Sequence, residues 1–362
     1  MRIVQIIDSL EVGGAERMAV NYANSLANKI EFSGLVATRC EGLLLDYVNQ
    51  RVNYAFLAKK SALDISAIFR LRSYIKKNKV EFVHAHSSSF FIAVLVKLAM
   101  PKIKIIWHDH YGISQNLSAR KNLILKLSSF FFLGIISVNE ALKKWAQNYL
   151  NCPNVIYFPN FIIESTASLN TFKLEGKDGK RIICVANLRP QKNHELLING
   201  AKEIQKKNPE WTFHLIGKDF NDSYSANLLQ QVKDKGLSED VFFYGAVNNV
   251  TDLLKQCEIA VLTSFSEGLP LAVLEYGFAS LPVVATNVGE ISKVIPSANE
   301  GLVIDSNNLD QFVTSVQKLI GEQDTRKLLG NRLNFFVNQN FSEKAILEEY
   351  STWLESLITF AE

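Results

Sequence analysis

The chain has 362 residues, of which 48% are hydrophobic and 21% are charged. This length and composition predict a folded protein with two domains and exclude a disordered or fibrous chain. The four cysteines, Cys40, Cys152, Cys184 and Cys257, lack CxxC spacing, which favours reduced thiols in the cytoplasm over disulfides. We expect neither a signal peptide nor a membrane-spanning helix, because the most apolar runs are too short to cross a bilayer.

The net charge of +3 is unevenly distributed along the chain. Residues 1–165 carry +9 and residues 166–362 carry −6. A basic half joined to an acidic half predicts that the first half meets an anionic surface. Because the sequence contains no nucleic-acid motif and no interleaved aromatic and basic platform, we favour a membrane surface over nucleic acid.

The first half alternates apolar strands with amphipathic helices. The first predicted strand covers 3–7, and the loop after it ends at Gly13-Gly14, where a helix begins. A glycine loop at a helix N-terminus can bind an anion, but this one is not GxGxxG, and a tight turn is the favoured interpretation of the loop by itself. Further strands are predicted over 33–38, 54–57, 80–85, 103–107, 133–138 and 155–158, and a helix over 63–77.

Four of the six histidines lie at the ends of two predicted strands. His84 and His86 end the strand at 80–85, and His108, Asp109 and His110 follow the strand at 103–107. Carboxyl ends of parallel strands form the ligand-binding edge of an α/β sheet. The clusters are therefore candidate ligand residues, although ordinary polar loops have the same composition. A zinc site is a weaker interpretation, because neither cluster lies on a helix at ligand spacing.

Two segments of the first half combine apolar and basic residues, at 90–104 and 120–127. Their basic residues are Lys97, Lys102 and Lys104 in the first segment and Arg120, Lys121 and Lys126 in the second. Such a face suits a membrane interface. A core-facing helix with a solvated basic side is an equally good interpretation of either segment alone.

The second half repeats the alternation of strand and helix after a polar stretch. We predict a first domain over 1–165, a linker over 166–180, a second domain over 181–341 and a C-terminal helix over 342–362. Lys192 follows the strand at 181–186, in a position from which its ammonium group can meet a phosphate. An exposed, solvated lysine is the alternative.

Residues 259–288 predict a strand, a loop, a helix and a second strand. Glu267 lies in the loop and Glu275 lies on the helix, which we predict to begin at Pro270. The amides of Gly268 and Leu269 are predicted to project from the helix N-terminus. The predicted buried stripe of this helix consists of Leu271, Leu274 and Phe278. By spacing alone, two surface glutamates on an ordinary amphipathic helix are the favoured interpretation over a site that binds hydroxyl groups.

The same unit carries a more specific pattern. Its pattern residues are Ser264, Glu267-Gly268, Glu275, Pro282-Val283-Val284 and Val288-Gly289. Together they resemble the donor-site signature of retaining family 4 glycosyltransferases, and the resemblance extends over nearly the whole chain. It implies an α/β GT-B fold of two facing Rossmann-like domains with parallel sheets, whose C-terminal helix crosses back onto the first domain. Two positions depart from the family pattern: Tyr276 replaces a small residue and Ser280 replaces a glycine.

The resemblance also implies roles for individual residues. Glu267 approaches the donor sugar and Glu275 binds the nucleotide ribose, while Lys192 and His108 complete the catalytic set. The other implied donor-binding residues are Gly268, Leu269, Arg189, Asn187, Gly245 and Val247. The implied acceptor and phosphate residues are Gly13, Gly14, Glu16, Arg17, His84, His86, Asp109 and His110. Asn187 stands where the family has an arginine, and Arg189 is the nearest guanidinium.

The resulting prediction is a cytoplasmic, metal-independent retaining glycosyltransferase without a cofactor, which can attach reversibly to the inner face of the membrane. Its co-substrate is a nucleotide-diphosphate sugar, a UDP-sugar in the first place and a GDP-sugar in the second. Its acceptor is a saccharide or lipid-linked saccharide of capsule, O-antigen or exopolysaccharide synthesis. A nucleotide-sugar epimerase of GT-B fold, a noncatalytic nucleotide-sugar binding protein and a nucleic-acid-binding module are the alternatives.

Overall fold

A computed structural model describes residues 1–111, 117, 120, 123–163, 172–247 and 250–359. Lys121, the first part of the predicted linker (166–171) and residues 360–362 of the predicted terminal helix lie outside that part. The chain divides into two compact units, Met1–Ile163 with Glu343–Glu362 and Glu164–Ser342. The terminal helix is therefore part of the first unit. None of the helices in the described part is long and apolar enough to cross a membrane.

The first unit is built on a parallel sheet. Its strands are β1 (Arg2–Ser9), β2 (Phe32–Cys40), β3 (Asn53–Phe56), β4 (Phe82–His86), β5 (Lys104–Asp109), β6 (Phe132–Ser137) and β7 (Val155–Tyr157). Its helices are α1 (Gly14–Leu26), α2 (Ile65–Lys77), α3 (Phe90–Ala99), α4 (Leu123–Ser128), α5 (Glu140–Tyr149) and α13 (Glu343–Thr359). The strand order is β3-β2-β1-β4-β5-β6-β7, so the order reverses between β1 and β4.

Helices cover both faces of this sheet, which explains why its strands are apolar almost throughout. Val4 and Ile6 face the core that α2, α3, α4 and α5 cover. Side chains alternate along a strand, so Ile7 faces the other core, which α1 covers. The terminal helix α13 packs closely on β6, because a Cβ atom at Gly134 would lie only 2.7 Å from the Trp353 ring.

The second unit repeats the architecture. Its strands are β8 (Arg181–Val185), β9 (Thr212–Ile216), β10 (Val241–Phe243), β11 (Ile259–Leu262), β12 (Val283–Thr286) and β13 (Leu302–Ile304). Its helices are α6 (His194–Gln205), α7 (Ser223–Asp234), α8 (Thr251–Leu254), α9 (Leu271–Phe278), α10 (Ile291–Val294), α11 (Leu309–Gly321) and α12 (Gln323–Asn340). The parallel strands follow the order β10-β9-β8-β11-β12-β13, so the order reverses between β8 and β11. In such sheets, ligands bind beyond the carboxyl ends of the strands at this reversal.

Helix α9 differs from its prediction in its first residue and in its buried face. Pro270 is the N-cap and Leu271 is the first helical residue, so the amides of Gly268 and Leu269 precede the helix. The buried face consists of Val273, Leu274, Tyr276 and Gly277. The predicted stripe was therefore wrong for Leu271 and Phe278, because periodicity alone left the rotation of this short apolar helix open.

Two further segments show how the chain is held locally. Ser280 adopts φ +57°, a left-handed conformation that ends α9 and that glycine adopts without strain. In the described part of the predicted linker, Leu174 is 2% exposed and the Phe172 ring stacks on Tyr244 with centroids 5.2 Å apart. These residues pack on the second unit, so at least this part of the segment is not an independent spacer.

Candidate functional site

Lys192 and Glu267 meet at the carboxyl ends of β8 and β11. Lys192 Nζ lies 2.6 Å from Glu267 Oε1, and Ser264 Oγ donates a hydrogen bond to the same oxygen at 2.5 Å. The Glu267 side chain is 7% exposed and that of Lys192 is 23% exposed. The ammonium group is thus the more accessible partner of a pair that joins two loops at the reversal of strand order.

Hydrogen bonds to backbone carbonyl oxygens hold these two loops together. Thr263 Oγ1 donates to the carbonyl oxygens of Lys192 and Asn193 at 3.2 and 3.0 Å, and Phe265 N donates to Gln191 O at 2.8 Å. Gly289, at φ +57°, approaches the Glu267 backbone so closely that a Cβ atom would overlap the carbonyl oxygen. The position of the Glu267 loop therefore requires glycine at residue 289.

The loops that follow β8 and β9 bring further cations to this edge. Asn187 Oδ1 accepts a hydrogen bond from Lys218 N at 2.8 Å, so the residue in place of the family arginine links the two loops. Arg189 lies over the Phe220 ring at 4.3 Å, and Lys218 Nζ lies 5.4 Å from the same ring centroid. Sequence reasoning missed Lys218, although its position just beyond a strand resembles that of Lys192.

The remaining predicted donor residues lie on the same unit. Glu275 is partly buried in the middle of α9. Gly268 O accepts a hydrogen bond from Glu290 N at 3.0 Å, and Leu269 is 3% exposed. Gly245 follows β10 with φ +70°, its carbonyl oxygen accepts from Gly217 N at 2.8 Å, and Val247 is partly buried two residues later.

In the first unit, four histidine rings form two hydrogen-bonded pairs that stack on each other. His84 Nε2 lies 3.2 Å from His108 Nδ1, and His86 Nδ1 lies 3.0 Å from His110 Nε2. The His84 ring stacks on His86 with centroids 4.4 Å apart, and the His108 ring stacks on His110 at 4.0 Å. We call these four side chains the histidine cluster.

Neighbouring groups orient the cluster. His86 Nε2 donates to Gln5 Oε1 at 2.8 Å, so its Nδ1 accepts from His110 Nε2. Tyr350 Oη of α13 lies 3.1 Å from His84 Nδ1. His108 Nε2 is buried without a hydrogen-bond partner among the described residues. The cluster is therefore a set of hydrogen-bonded imidazoles in which one buried nitrogen, His108 Nε2, lacks a partner among the described residues.

Burial keeps the cluster neutral. It lowers the pKa of His84 and of His110 to about 3, and it lowers the pKa of His86 and of His108 well below the usual value, with the neighbouring imidazoles adding to most of these shifts. Among the described residues, His84, His86 and His108 place three ring nitrogens within 4.8 Å of one another, as a metal site would. Both nitrogens of His84 and of His86 already take part in hydrogen bonds, so a metal ion would have to displace them.

Asp109 is engaged by Arg120 rather than open to a ligand. The guanidinium contacts both carboxylate oxygens, at 2.6 and 2.9 Å, and Tyr111 N donates to Oδ1 at 3.2 Å. Arg120 also lies 4.2 Å from the Trp145 ring centroid and 4.4 Å from that of Tyr111. Burial raises the pKa of Asp109, and the Arg120 guanidinium opposes this rise. Arg120 therefore has a structural partner, contrary to its predicted place on an exposed basic face.

The N-terminal loop leads into α1 at the carboxyl end of β1. Gly13 is the N-cap, and a Cβ atom there would overlap the carboxylate of Glu16. Gly14 is the first helical residue, and the Arg17 guanidinium lies 5.2 Å from the Tyr47 ring centroid. The structure thus brings Gly13, Gly14 and Glu16 together, while Arg17 stacks on a ring of its own unit.

Two Rossmann-like units with parallel sheets and a terminal helix returned to the first unit define the GT-B class. The Anabaena protein Alr3699/HepE, solved in complex with UDP-glucose, has the same fold, with a TM-score of 0.79, 15% identity and coverage of 98% of this chain and 100% of the other. The family model described as Glycosyl transferases group 1 matches residues 169–333, and the one described as Glycosyltransferase Family 4 matches residues 12–165. The chain belongs to this family of glycosyltransferases, which confirms the predicted family and fold class.

Two curated relatives are similar to this chain over most of their length. An Escherichia coli UDP-Gal:alpha-D-GlcNAc-diphosphoundecaprenol alpha-1,3-galactosyltransferase is 24% identical over 355 residues, which cover 90% of each chain. A Staphylococcus aureus capsular polysaccharide biosynthesis glycosyltransferase, CapH, is 24% identical over 307 residues, covering 81% of this chain and 83% of the relative.

The depressed histidine pKa values predict a loss of stability in mild acid. A histidine whose pKa is about 6.5 when unfolded and far lower when folded stabilises the protein fully above pH 6.5. This contribution is lost as the pH falls toward the folded value, by about 1.4 kcal/mol per pH unit for each histidine. We expect the free energy of unfolding of the first unit to fall steeply between pH 6.5 and 4.5, since four such groups outweigh the opposing shift of Asp109.

Urea unfolding followed by tryptophan fluorescence measures this loss, because Trp107, Trp145 and Trp353 belong to the first unit and only Trp211 belongs to the second. A free energy of unfolding that stays constant from pH 7.5 to 5 would contradict the expectation.

Proposed function

We propose that the protein is a retaining glycosyltransferase that moves a sugar from a nucleotide-diphosphate sugar to a saccharide or lipid-linked saccharide in bacterial capsule, O-antigen or exopolysaccharide synthesis. The observation that carries the proposal is the Lys192–Glu267 pair at the reversal of strand order in the second unit. The substrates and pathway named for the E. coli and S. aureus relatives support it. UDP in the names of the E. coli relative and the Anabaena neighbour favours a UDP-sugar over a GDP-sugar.

In this proposal Lys192 stabilises the charge on the leaving diphosphate. An ammonium group has three N–H donors, and one hydrogen bond to Glu267 leaves others for phosphate oxygens. Arg189 and Lys218, which share the Phe220 ring, add positive charge at the same edge of the sheet. Fixed cations of this kind can take the part of a divalent metal ion in stabilising the leaving group.

Glu267 acts on the sugar rather than as a nucleophile. Its Oε1 atom already accepts hydrogen bonds from Lys192 and Ser264, and both interactions lower the reactivity of the carboxylate toward carbon. Retention then proceeds by front-face attack of the acceptor hydroxyl, whose proton passes to the leaving phosphate. Glu275 binds the ribose, and the Gly245–Val247 backbone contacts the base.

The acceptor is bound by the first unit. Of the histidine cluster, only His110 is more than 1% exposed, so we propose that His110 contacts the ligand while His84 and His86 position it. His108 Nε2 also lacks a partner among the described residues, but it is buried, so we propose that His108 positions His110 through ring stacking. The Gly13-Gly14 loop supplies backbone amides at the start of α1.

The first test separates the structural role of the ion pair from its catalytic role. Lys192→Met alone leaves a buried carboxylate without its cation, which costs about 3–5 kcal/mol of stability. Adding Glu267→Gln removes that charge, so the double variant should regain most of its stability. Its turnover of UDP-sugar should nevertheless remain at least about 100-fold below wild type, because the diphosphate has lost its cation and the sugar has lost the Glu267 carboxylate.

Turnover is measured with a lipid-linked saccharide acceptor in EDTA, with Lys233→Met, an exposed lysine in the last turn of α7, as the control. Wild-type turnover by the double variant would refute the role of Lys192. Donor turnover that yields an epimer without any acceptor would identify an epimerase instead.

The second test concerns the ribose. Glu275→Ala removes a charged hydrogen-bond acceptor and should weaken UDP or GDP binding by about 1–3 kcal/mol. Calorimetry with the nucleotide and with free pyrophosphate measures the effect, and only nucleotide binding should change. An unaltered nucleotide affinity, in a variant that melts like wild type, would rule out the ribose assignment.

We also propose that the first unit attaches reversibly to an anionic membrane surface, where a lipid-linked acceptor is found. Its exposed apolar residues include Leu98, Leu123, Ile124, Leu127 and Phe130, each more than half exposed. Lys102 and Lys126 are exposed in the same segments. Lys97 is not part of this surface, because its ammonium donates to Ile103 O at 2.5 Å.

Vesicle co-sedimentation measures the attachment. Each basic residue near an anionic leaflet contributes about 1 kcal/mol, which salt screens, and apolar insertion adds a salt-resistant part. We expect Lys102→Glu with Lys126→Glu to remove the salt-sensitive part, and Leu123→Glu with Leu127→Glu to remove the rest. Leu328→Glu with Phe335→Glu, two exposed apolar residues of the second unit, is the matched control. Equal, negligible binding of wild type to anionic and neutral vesicles would exclude the attachment.

A further inference from the structure

The hydroxyl of Tyr276 lies between the two strands at which the order of the second sheet reverses. Val185 N, at the end of β8, donates to Tyr276 Oη at 2.6 Å, and Tyr276 Oη donates to Val261 O of β11 at 3.4 Å. The tyrosine is fully buried, and burial raises the pKa of its hydroxyl well above the usual value, so the proton stays in place. A side chain of α9 thus bridges two backbone groups that neighbouring strands would otherwise pair directly.

The register of the two strands shows the effect of this bridge. β8 and β11 pair only at Ile182 with Ile259 and at Ile183 with Ala260. Beyond Ile183 and Ala260, the Tyr276 hydroxyl lies between the two backbones. Farther along, hydrogen bonds from Thr263 and Phe265 connect the two loops again. The strands are therefore separated by an inserted oxygen atom just before the loops that carry Lys192 and Glu267.

We propose that Tyr276 is a positioning residue of the donor site, and that its hydroxyl sets the separation of β8 and β11 and thereby the placement of Lys192 against Glu267. The ligand whose binding depends on this separation of the strands is a nucleoside diphosphate. The same hydroxyl anchors the rotation of α9, which carries Glu275 as the adjacent residue. The inference rests on the proposed function, because it concerns the site at which the donor is bound.

The test compares Tyr276→Phe, which removes one oxygen atom, with Tyr74→Phe, whose lost hydroxyl donates to Asn53 O at 2.7 Å in the first unit. Affinity for UDP and for GDP is measured by calorimetry well below the melting temperature of each variant. We expect Tyr276→Phe to weaken binding about tenfold and Tyr74→Phe to leave it unchanged. A purely structural role would lower the melting temperature without changing the affinity, and that result would overturn the inference.

If Tyr276→Phe does not fold, hydrogen exchange in the wild type decides. The Val185 amide should be as protected as that of Ile183 within the ladder, and the nucleotide that binds should protect it further. Rapid exchange at Val185, or exchange that the nucleotide leaves unchanged, would overturn the inference. If wild type binds neither UDP nor GDP, the proposed function fails and the inference fails with it. If wild type binds and Tyr276→Phe binds equally well, only the inference fails.

Discussion

The second unit depends on an ion pair that two loops hold at the edge of its sheet. Removing a carboxylate and an ammonium group from water is costly, and their attraction repays this cost only where the geometry is good and further hydrogen bonds are present. Ser264 supplies such a bond to Glu267, and Thr263 fixes the backbone of Lys192. Gly289 allows the Glu267 loop to approach. The pair is thus held by two loops and by the close approach of a third at Gly289, and its lysine side is partly exposed to solvent.

The first unit presents a different chemistry at the corresponding edge of its own sheet. Its histidine cluster is neutral and, except for the partly exposed His110, buried, whereas the second unit presents cations. Neutral imidazoles offer directed hydrogen bonds without attracting anions, which suits hydroxyl groups more than phosphates. The dependence of the cluster on Tyr350 of α13 also makes the terminal helix part of the first unit's site rather than a simple cover for its sheet.

The basic residues of the first unit are of two kinds, those paired within the fold and those exposed on its surface. Arg120 binds Asp109 and lies over three aromatic rings. Lys97 donates hydrogen bonds to two carbonyl oxygens just beyond the end of its helix. These charges stabilise the fold. Lys102 and Lys126 remain exposed near apolar side chains, so the surface available to an anionic partner is smaller than the formal charge implies.

Much of the architecture was predictable from local patterns. Apolar runs of strand length predicted the sheets, because strands covered on both faces are apolar throughout. Chemistry-bearing residues that follow those runs, such as Lys192, Glu267 and His108, indicated the ligand edge, because parallel strands share one carboxyl edge. The specific pattern around Glu267 and Glu275 indicated the family, which the family models confirm.

What the sequence by itself determined was therefore the order of the elements and the edge at which their polar residues lie. Tertiary structure alone decided which side chains pair there. Lys192 and Glu267 are 75 residues apart, and Tyr350 and His84 are 266 residues apart, so no local spacing reveals either contact. The rotation of α9 was likewise undecided, because its apolar residues lie all around the helix. Only the packing of that helix against β8 and β11 placed the Tyr276 hydroxyl between them.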